Sequence, residues 1–189
     1  MKNKWNLFYN PFQWIAGWKS FGIGIVIVCV TVVIGHLGNT YFYGLNVKNI
    51  HDISLPMAFL LQGIGLCSTV LLMYLVSIIA TKNVRFQDIL GTVTLARYPF
   101  FFAAFAGFLI PATTLDNIIN GTKPETWALI QLSIASIIMV LVVILGVALL
   151  YHAFKVSTNI KGAKSVFLFI LIMILSEAIT MLIVLNFFN

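Results

Sequence analysis

From Thr126 to Phe154 the chain runs for 29 residues without an aspartate, glutamate, lysine or arginine. A helix rises roughly 1.5 Å per residue, so such a run is long enough to cross a hydrocarbon core about 30 Å thick. Four more stretches behave alike: Ser20 to Leu45, Ile53 to Thr81, Tyr98 to Leu115, and Ser165 to Asn189, the last interrupted once by Glu177. Backbone groups inside a bilayer find no water, so each run is expected to be a helix; barrel strands would show an apolar alternation that these runs lack. The expected fold is an all-α integral membrane protein with five transmembrane helices. Composition agrees, since 61% apolar and 8% charged residues lie far from soluble-domain usage. Five spans and short loops exhaust 189 residues and leave no room for a soluble catalytic domain. The expected organisation is an interfacial head over 1–19 and a single five-span domain over 20–189.

Basic residues in the connections set the orientation. Lys2, Lys4, Lys19, Lys82, Arg85, Lys155, Lys161 and Lys164 fall on one side, and Lys48 and Lys123 on the other. This bias predicts a cytoplasmic N-terminus and an outside C-terminus. Lys82, Arg85, Lys155, Lys161 and Lys164 adjoin apolar spans, so lipid headgroups of the bilayer are their expected partner and nucleic acid is not. Lys2 and Lys4 precede aromatics and prolines rather than a compact apolar core, so no cleaved leader is expected.

Two short helices are expected to lie on the inner leaflet. In "YNPFQWIAGWKSF", Asn10 caps a helix with Pro11 at its first position, and Trp5, Trp14 and Trp18 suit the headgroup level. Trp127 is the matching anchor at the outer end of the fourth span. In "NVRFQDILGTVTLA", Phe86, Ile89, Leu90 and Val93 form an apolar stripe, which reads as an amphipathic elbow before the third span.

The stretch "TLARYPFFFAAF" sets an arginine two residues before a proline within apolar surroundings. Residues before proline avoid the α conformation, and proline favours a first helical turn. Span three is therefore expected to start near Pro99, beside Tyr98, with Arg97 snorkelling at the cytoplasmic mouth. A deeper register, starting near Ile89, buries Arg97 and requires a partner. Glu177 is the one acidic residue inside a span, close to mid-membrane, where a carboxylate must be neutralised, paired or hydrated. Thr180, one turn on, and Ser176 offer it a polar neighbourhood, and only the deep register brings Arg97 within its reach.

Catalytic and metal signatures are not found. Cys29 and Cys67 lie in apolar runs, His36 and His51 lie outside, and His152 lies at the inner end of span four, so no metal or cofactor is expected. Asp88 and Asp116 sit in connections, and Asn120-Gly-Thr reads equally as a sequon or a tight turn.

Asn10-Pro11-Phe12 in a short head, the basic elbow leading into "ARYPFF", five spans, and the basic connection "KVSTNIKGAKS" resemble the YIP family of Rab GTPase interacting membrane proteins, most closely a short bacterial-type member. That resemblance implies a non-enzymatic five-helix protein of a bacterial cytoplasmic (inner) membrane with a cytosolic N-terminus, engaged in membrane organisation or trafficking-like contacts with lipid or a protein partner. Only about twenty residues precede the first span, so the long cytosolic arm is missing and a GTPase partner is not expected. The rival reading is a transporter or proton-coupled permease centred on Glu177. An enzyme would need a site at the inner interface using His152.

Overall fold

The computed structural model describes residues 11–49, 53–81, 84–110, 120–121, 123 and 125–188. Lys2, Lys4, Trp5, Asn10, His51, Lys82, Asp116 and Thr122 lie outside the described residues. The apolar runs form α1 (Gly17–Leu37), α2 (Leu55–Ala80), α3 (Phe86–Leu95), α4 (Phe100–Ala106), α5 (Thr126–Thr158) and α6 (Ala163–Phe188). Taken with the turn to Leu109, α3 and α4 make one segment, so five segments are long and apolar enough to cross a membrane. Ser54 and Pro56 mark the start of α2, where a missing N–H has no helical partner to lose. Asn159, in a left-handed conformation with φ 54°, ends α5 and donates its N–H to Lys155 O at 3.0 Å.

The first correction concerns the run Ser20 to Leu45. It holds one helix and part of a β-hairpin: α1 stops at Leu37, and β1 (Thr40–Tyr43) pairs antiparallel with β2 (Asn46–Asn49). Asn39 adopts φ 51°, breaking the helix, and the aromatic and β-branched residues Thr40, Tyr41, Phe42 and Tyr43 then favour an extended chain. Tyr43 faces Asn46 across the two-residue loop Gly44-Leu45. Gly44 has φ 62°, and glycine at the first central position is the residue choice of a type II′ turn. All four β1 residues are buried, so the hairpin folds back into the bundle. The fold is helical apart from this element among the described residues.

The second correction concerns the elbow and Arg97. α3 does not lie on a surface: Ile89 and every residue from Gly91 to Arg97 are buried. Ser20 Oγ on α1 donates to Gly91 O at 2.9 Å, and a Cβ on Gly24 would come within 2.6 Å of Leu95 N. The third apolar segment thus begins at Phe86, and it continues through Ala96–Pro99 in tighter turns rather than starting there. Pro99 lacks an N–H, and Leu95 O accepts from Tyr98 N at 3.1 Å in a tighter turn, while Phe100 N donates to Arg97 O at 3.1 Å. Pro99 itself holds helical angles, φ −63° and ψ −28°. The proline changes the pitch of one segment and leaves Arg97 near its middle.

Packing distinguishes the two ends. Phe12 packs with Ile89, Val93, Phe154, Ile160 and Phe169 at the end where α1, α3 and α6 begin. The head residue Phe12 therefore enters the core, as part of the turn Pro11–Gln13, while Trp14 and Trp18 are exposed. Lys19, Arg85, Lys155, Lys161 and Lys164 are exposed at this end. At the opposite end Val32, Tyr41, Tyr43, Leu61 and Val184 pack together, with exposed Lys48 on β2 and Trp127 exposed in the first turn of α5. Ala103 packs with Phe42, Phe100 and Val142, and Gly107 admits Thr40, so two small residues one turn apart on the third apolar segment receive the hairpin. Between the ends the outer surface is apolar, as at Ile79, Ile144, Phe167 and Leu182.

Candidate functional site: a clasp on the hairpin tip

The hairpin tip presents a local problem. In a two-residue turn the central peptide directs its C=O and N–H away from the strand ladder, and buried backbone groups need partners. Here that peptide joins Gly44 to Leu45. Arg97 Nη1 donates to Gly44 O, and Glu177 Oε1 accepts from Leu45 N–H at 2.6 Å. One peptide unit is therefore gripped at both poles, its carbonyl by a cation and its amide by an anion. Glu177 Oε2 also accepts from Asn46 Nδ2 at 2.8 Å.

Arg97 is 1% exposed and makes further bonds. Its Nη2 donates to Gly65 O and to Thr69 Oγ1, both at 3.2 Å. The Phe100 ring centroid lies 5.6 Å from the guanidinium carbon, within cation–π range. Arg97 Nε is buried without a hydrogen-bond partner among the described residues. These contacts replace the snorkelling expected at the mouth: the side chain is enclosed by protein and meets backbone carbonyls, not lipid phosphate.

Hydroxyl groups extend the clasp between α2 and α6. Thr69 Oγ1 and Ser176 Oγ lie 2.9 Å apart, and Ser68 Oγ reaches Thr180 Oγ1 at 2.6 Å and Ser176 Oγ at 3.4 Å. Thr69 and Ser68 also donate to Gly65 O, at 2.8 and 3.1 Å. The spacing of Ser176 and Thr180 puts both on one helical face, one turn apart. Gly65 is required sterically, because a Cβ there would collide with Gly44 N. A side chain on Gly44 would run into the Glu177 carboxylate.

The structure thus brings Arg97, Glu177 and Thr180 into one cluster. Arg97 and Glu177 meet through the intervening peptide. Pro99 is buried beside the cluster, whereas Tyr98 turns to an apolar groove with Val26, Val30 and Phe102. Arg85, Lys155, Lys161 and Lys164 stand apart at the basic end. Sequence reasoning missed Gly44, Leu45 and Asn46. Their signal was a Gly-containing pair between aromatic and β-branched residues, concealed within a charge-free run.

Chemically, the cluster is an internal charge pair whose members are engaged in fixing a turn. His152 sits beside Tyr151, with ring centroids 6.0 Å apart, and is half-buried near the end of α5. Among the described residues no group of three His, Cys, Asp or Glu side chains is placed to hold a metal ion. Against protein-family models, curated proteins and solved structures alike, the chain finds no match.

Proposed function

We propose that this is a non-enzymatic multi-pass membrane protein of YIP-like type, working through contacts between its basic end and anionic lipid or a membrane-associated protein. Its five apolar segments cross a bacterial cytoplasmic membrane with the N-terminus inside and the C-terminus outside. The observation that carries this reading is a division of labour among charges. Arg97 and Glu177 are engaged in holding the hairpin, while Lys19, Arg85, Lys155, Lys161 and Lys164 are exposed at one end. Basic residues beside membrane spans attract anionic headgroups by about 1 kcal/mol each.

The test is native mass spectrometry of the chain released from bilayers of mixed phosphatidylglycerol and phosphatidylcholine. Preferential retention of phosphatidylglycerol, lost when Lys155, Lys161 and Lys164 are changed together to glutamine, supports the proposal. Equal retention of both lipids, or proton flux in vesicles that disappears in Glu177→Gln, overturns it in favour of transport. Accessibility of single cysteines introduced at Lys161 and Lys123 in a cysteine-free background checks the orientation.

A further inference from the structure

The two arms of the clasp differ in how they meet water. Arg97 is enclosed, and on its basic side Val70, Met73, Phe169 and Ile172 pack together in the core, each at most 5% exposed. Glu177 is half-buried, and the bond it accepts from Asn46 Nδ2 lies at the surface. Side chains alternate along a strand, so Asn46 and Lys48 share one face of β2, and both are exposed. Lys48 stands opposite Tyr41, toward the end of the bundle away from the basic cluster, with Nζ 5.5 Å from the centre of the Tyr43 ring. A file of polar groups therefore runs from that end through Lys48 and Asn46 to the carboxylate, and a packed apolar layer closes the other direction.

The charges around Glu177 are few among the described residues. The third apolar segment supplies Arg97, across the Gly44–Leu45 peptide, and β2 supplies Lys48. β1 brings Tyr41 and Tyr43, α2 carries no charged side chain, and His36 of α1 is engaged with Tyr41 Oη at 3.3 Å. His152 and Lys155 of α5 and Lys164 of α6 lie at the basic end. Lysine and arginine stay charged in mild acid, so Glu177 is the member of the cluster that can change its charge there.

We infer that the clasp is a latch worked by acidity on the Lys48 side: a proton taken up by Glu177 loosens the hairpin from α6, while Arg97 keeps its hold from the third apolar segment. The proton comes from water and adds to Oε2, the oxygen at the surface. That oxygen becomes an O–H donor facing the N–H of Asn46, so the bond it accepted is lost; the bond from Leu45 N–H to Oε1 loses its charge assistance and weakens. Arg97 still donates to Gly44 O, Gly65 O and Thr69 Oγ1. Because the apolar layer separates the clasp from the basic end, the latch answers to one side and conducts nothing. The inference rests on the bundle crossing a bilayer, and is independent of what the basic end contacts.

The test reads the gripped peptide itself. Glycine precedes leucine at two places in the chain, Gly44-Leu45 and Gly65-Leu66. The full chain in lipid nanodiscs, isotope-labelled at glycine carbonyl carbons and leucine nitrogens, therefore gives two filtered amide signals by NMR, the clasp peptide and an internal control within α2. From about pH 8 to about pH 5, a range reached by perturbed carboxylates, the Leu45 signal should follow a single titration while Leu66 stays still. Exchange of the Leu45 amide with water, corrected for the intrinsic effect of pH, should quicken about tenfold as a charge-assisted bond becomes a neutral one. Glu177→Gln should hold the Leu45 signal constant over the same range, and the wild-type titration decides the matter alone if that variant does not fold. A Leu45 signal that does not move, one that still titrates in Glu177→Gln, or equal movement of Leu66 overturns the inference. In proteoliposomes of one orientation, acid on the Lys48 side alone should move the signal. An equal response to acid on the basic side would reveal a path through the bundle and overturn the one-sided latch in favour of proton transport.

Discussion

The α1–α3 pair and the α2–α6 pair are both buried contacts between apolar helices, yet they are held differently. Between α1 and α3 the backbones approach directly, with Gly24 against Leu95 and Gly91 against Gly17. Between α2 and α6 the contact runs through Ser68, Thr69, Ser176 and Thr180. Apolar helices in hydrocarbon have no hydrophobic reason to associate, so close packing and hydrogen bonding are the remaining means; α1 and α3 rely mainly on the first, aided by the bond from Ser20 Oγ to Gly91 O, and α2 and α6 on the second. A backbone seam fails as soon as one Cβ is added. A hydroxyl seam shares its bonds and weakens by steps.

The largest expected effect comes from Arg97→Met, which takes the donor from Gly44 O, Gly65 O and Thr69 Oγ1 and the countercharge from the Glu177 carboxylate. Removing one member of a buried charge pair costs about 3–5 kcal/mol, so unfolding in mild detergent should show a large loss of stability. Wild-type stability in that variant would show that the guanidinium is dispensable. Next, Gly24→Ala should cost about 1–3 kcal/mol, because the new carbon meets Leu95 backbone and cannot be relieved by a side-chain rotation. Gly22→Ala, where a Cβ meets nothing within 4 Å, is the matched control and should be near neutral.

Glu177→Gln is milder. The amide oxygen can still accept from Leu45 N–H, but the countercharge to Arg97 is lost, and a cost of about 1–2 kcal/mol is expected. Glu177→Leu should exceed it by leaving the turn amide unmet, and equal stability of the two variants would refute the amide contact. The smallest effect belongs to Ser68→Ala, about 0.6 kcal/mol, since Ser176 retains Thr69 as a partner and one interhelical bond, to Thr180, is lost. If Ser68→Ala proved as costly as Gly24→Ala, the contrast between the seams would collapse.

The first, second and fourth apolar segments were legible because the absence of charge over twenty or more residues has few physical explanations; the third carries Asp88 and Arg97, and only its part from Tyr98 on read as a span. The hairpin was not, for a related reason: strands that fold back among helices carry the same uncharged, aromatic residues as a span, so Thr40 to Leu45 extended the first run without a visible seam. Asn39 and Gly44 were the available clues. The proline at 99 misled through a rule that holds for regular helices. A short stretch of tighter turns absorbs the missing N–H, and the chain passes Arg97 without leaving the bundle. Glu177 was recognisable as a group needing a partner, but its main partner is a backbone amide, and no side-chain pattern records that.

The clasp also imposes an order in time. Leu45 and Glu177 are 132 residues apart in sequence, and Arg97 lies between them. At a synthesis rate of about 5–20 residues per second, the carboxylate follows the turn by roughly 7–26 seconds. Once Arg97 is made, the Gly44–Leu45 peptide has a cation available for its carbonyl, but for the 80 residues until Glu177 it has no anion for its amide. The hairpin turn therefore cannot take its final place until the last helix is made, and a chain shortened before Glu177 would leave that amide without its acceptor.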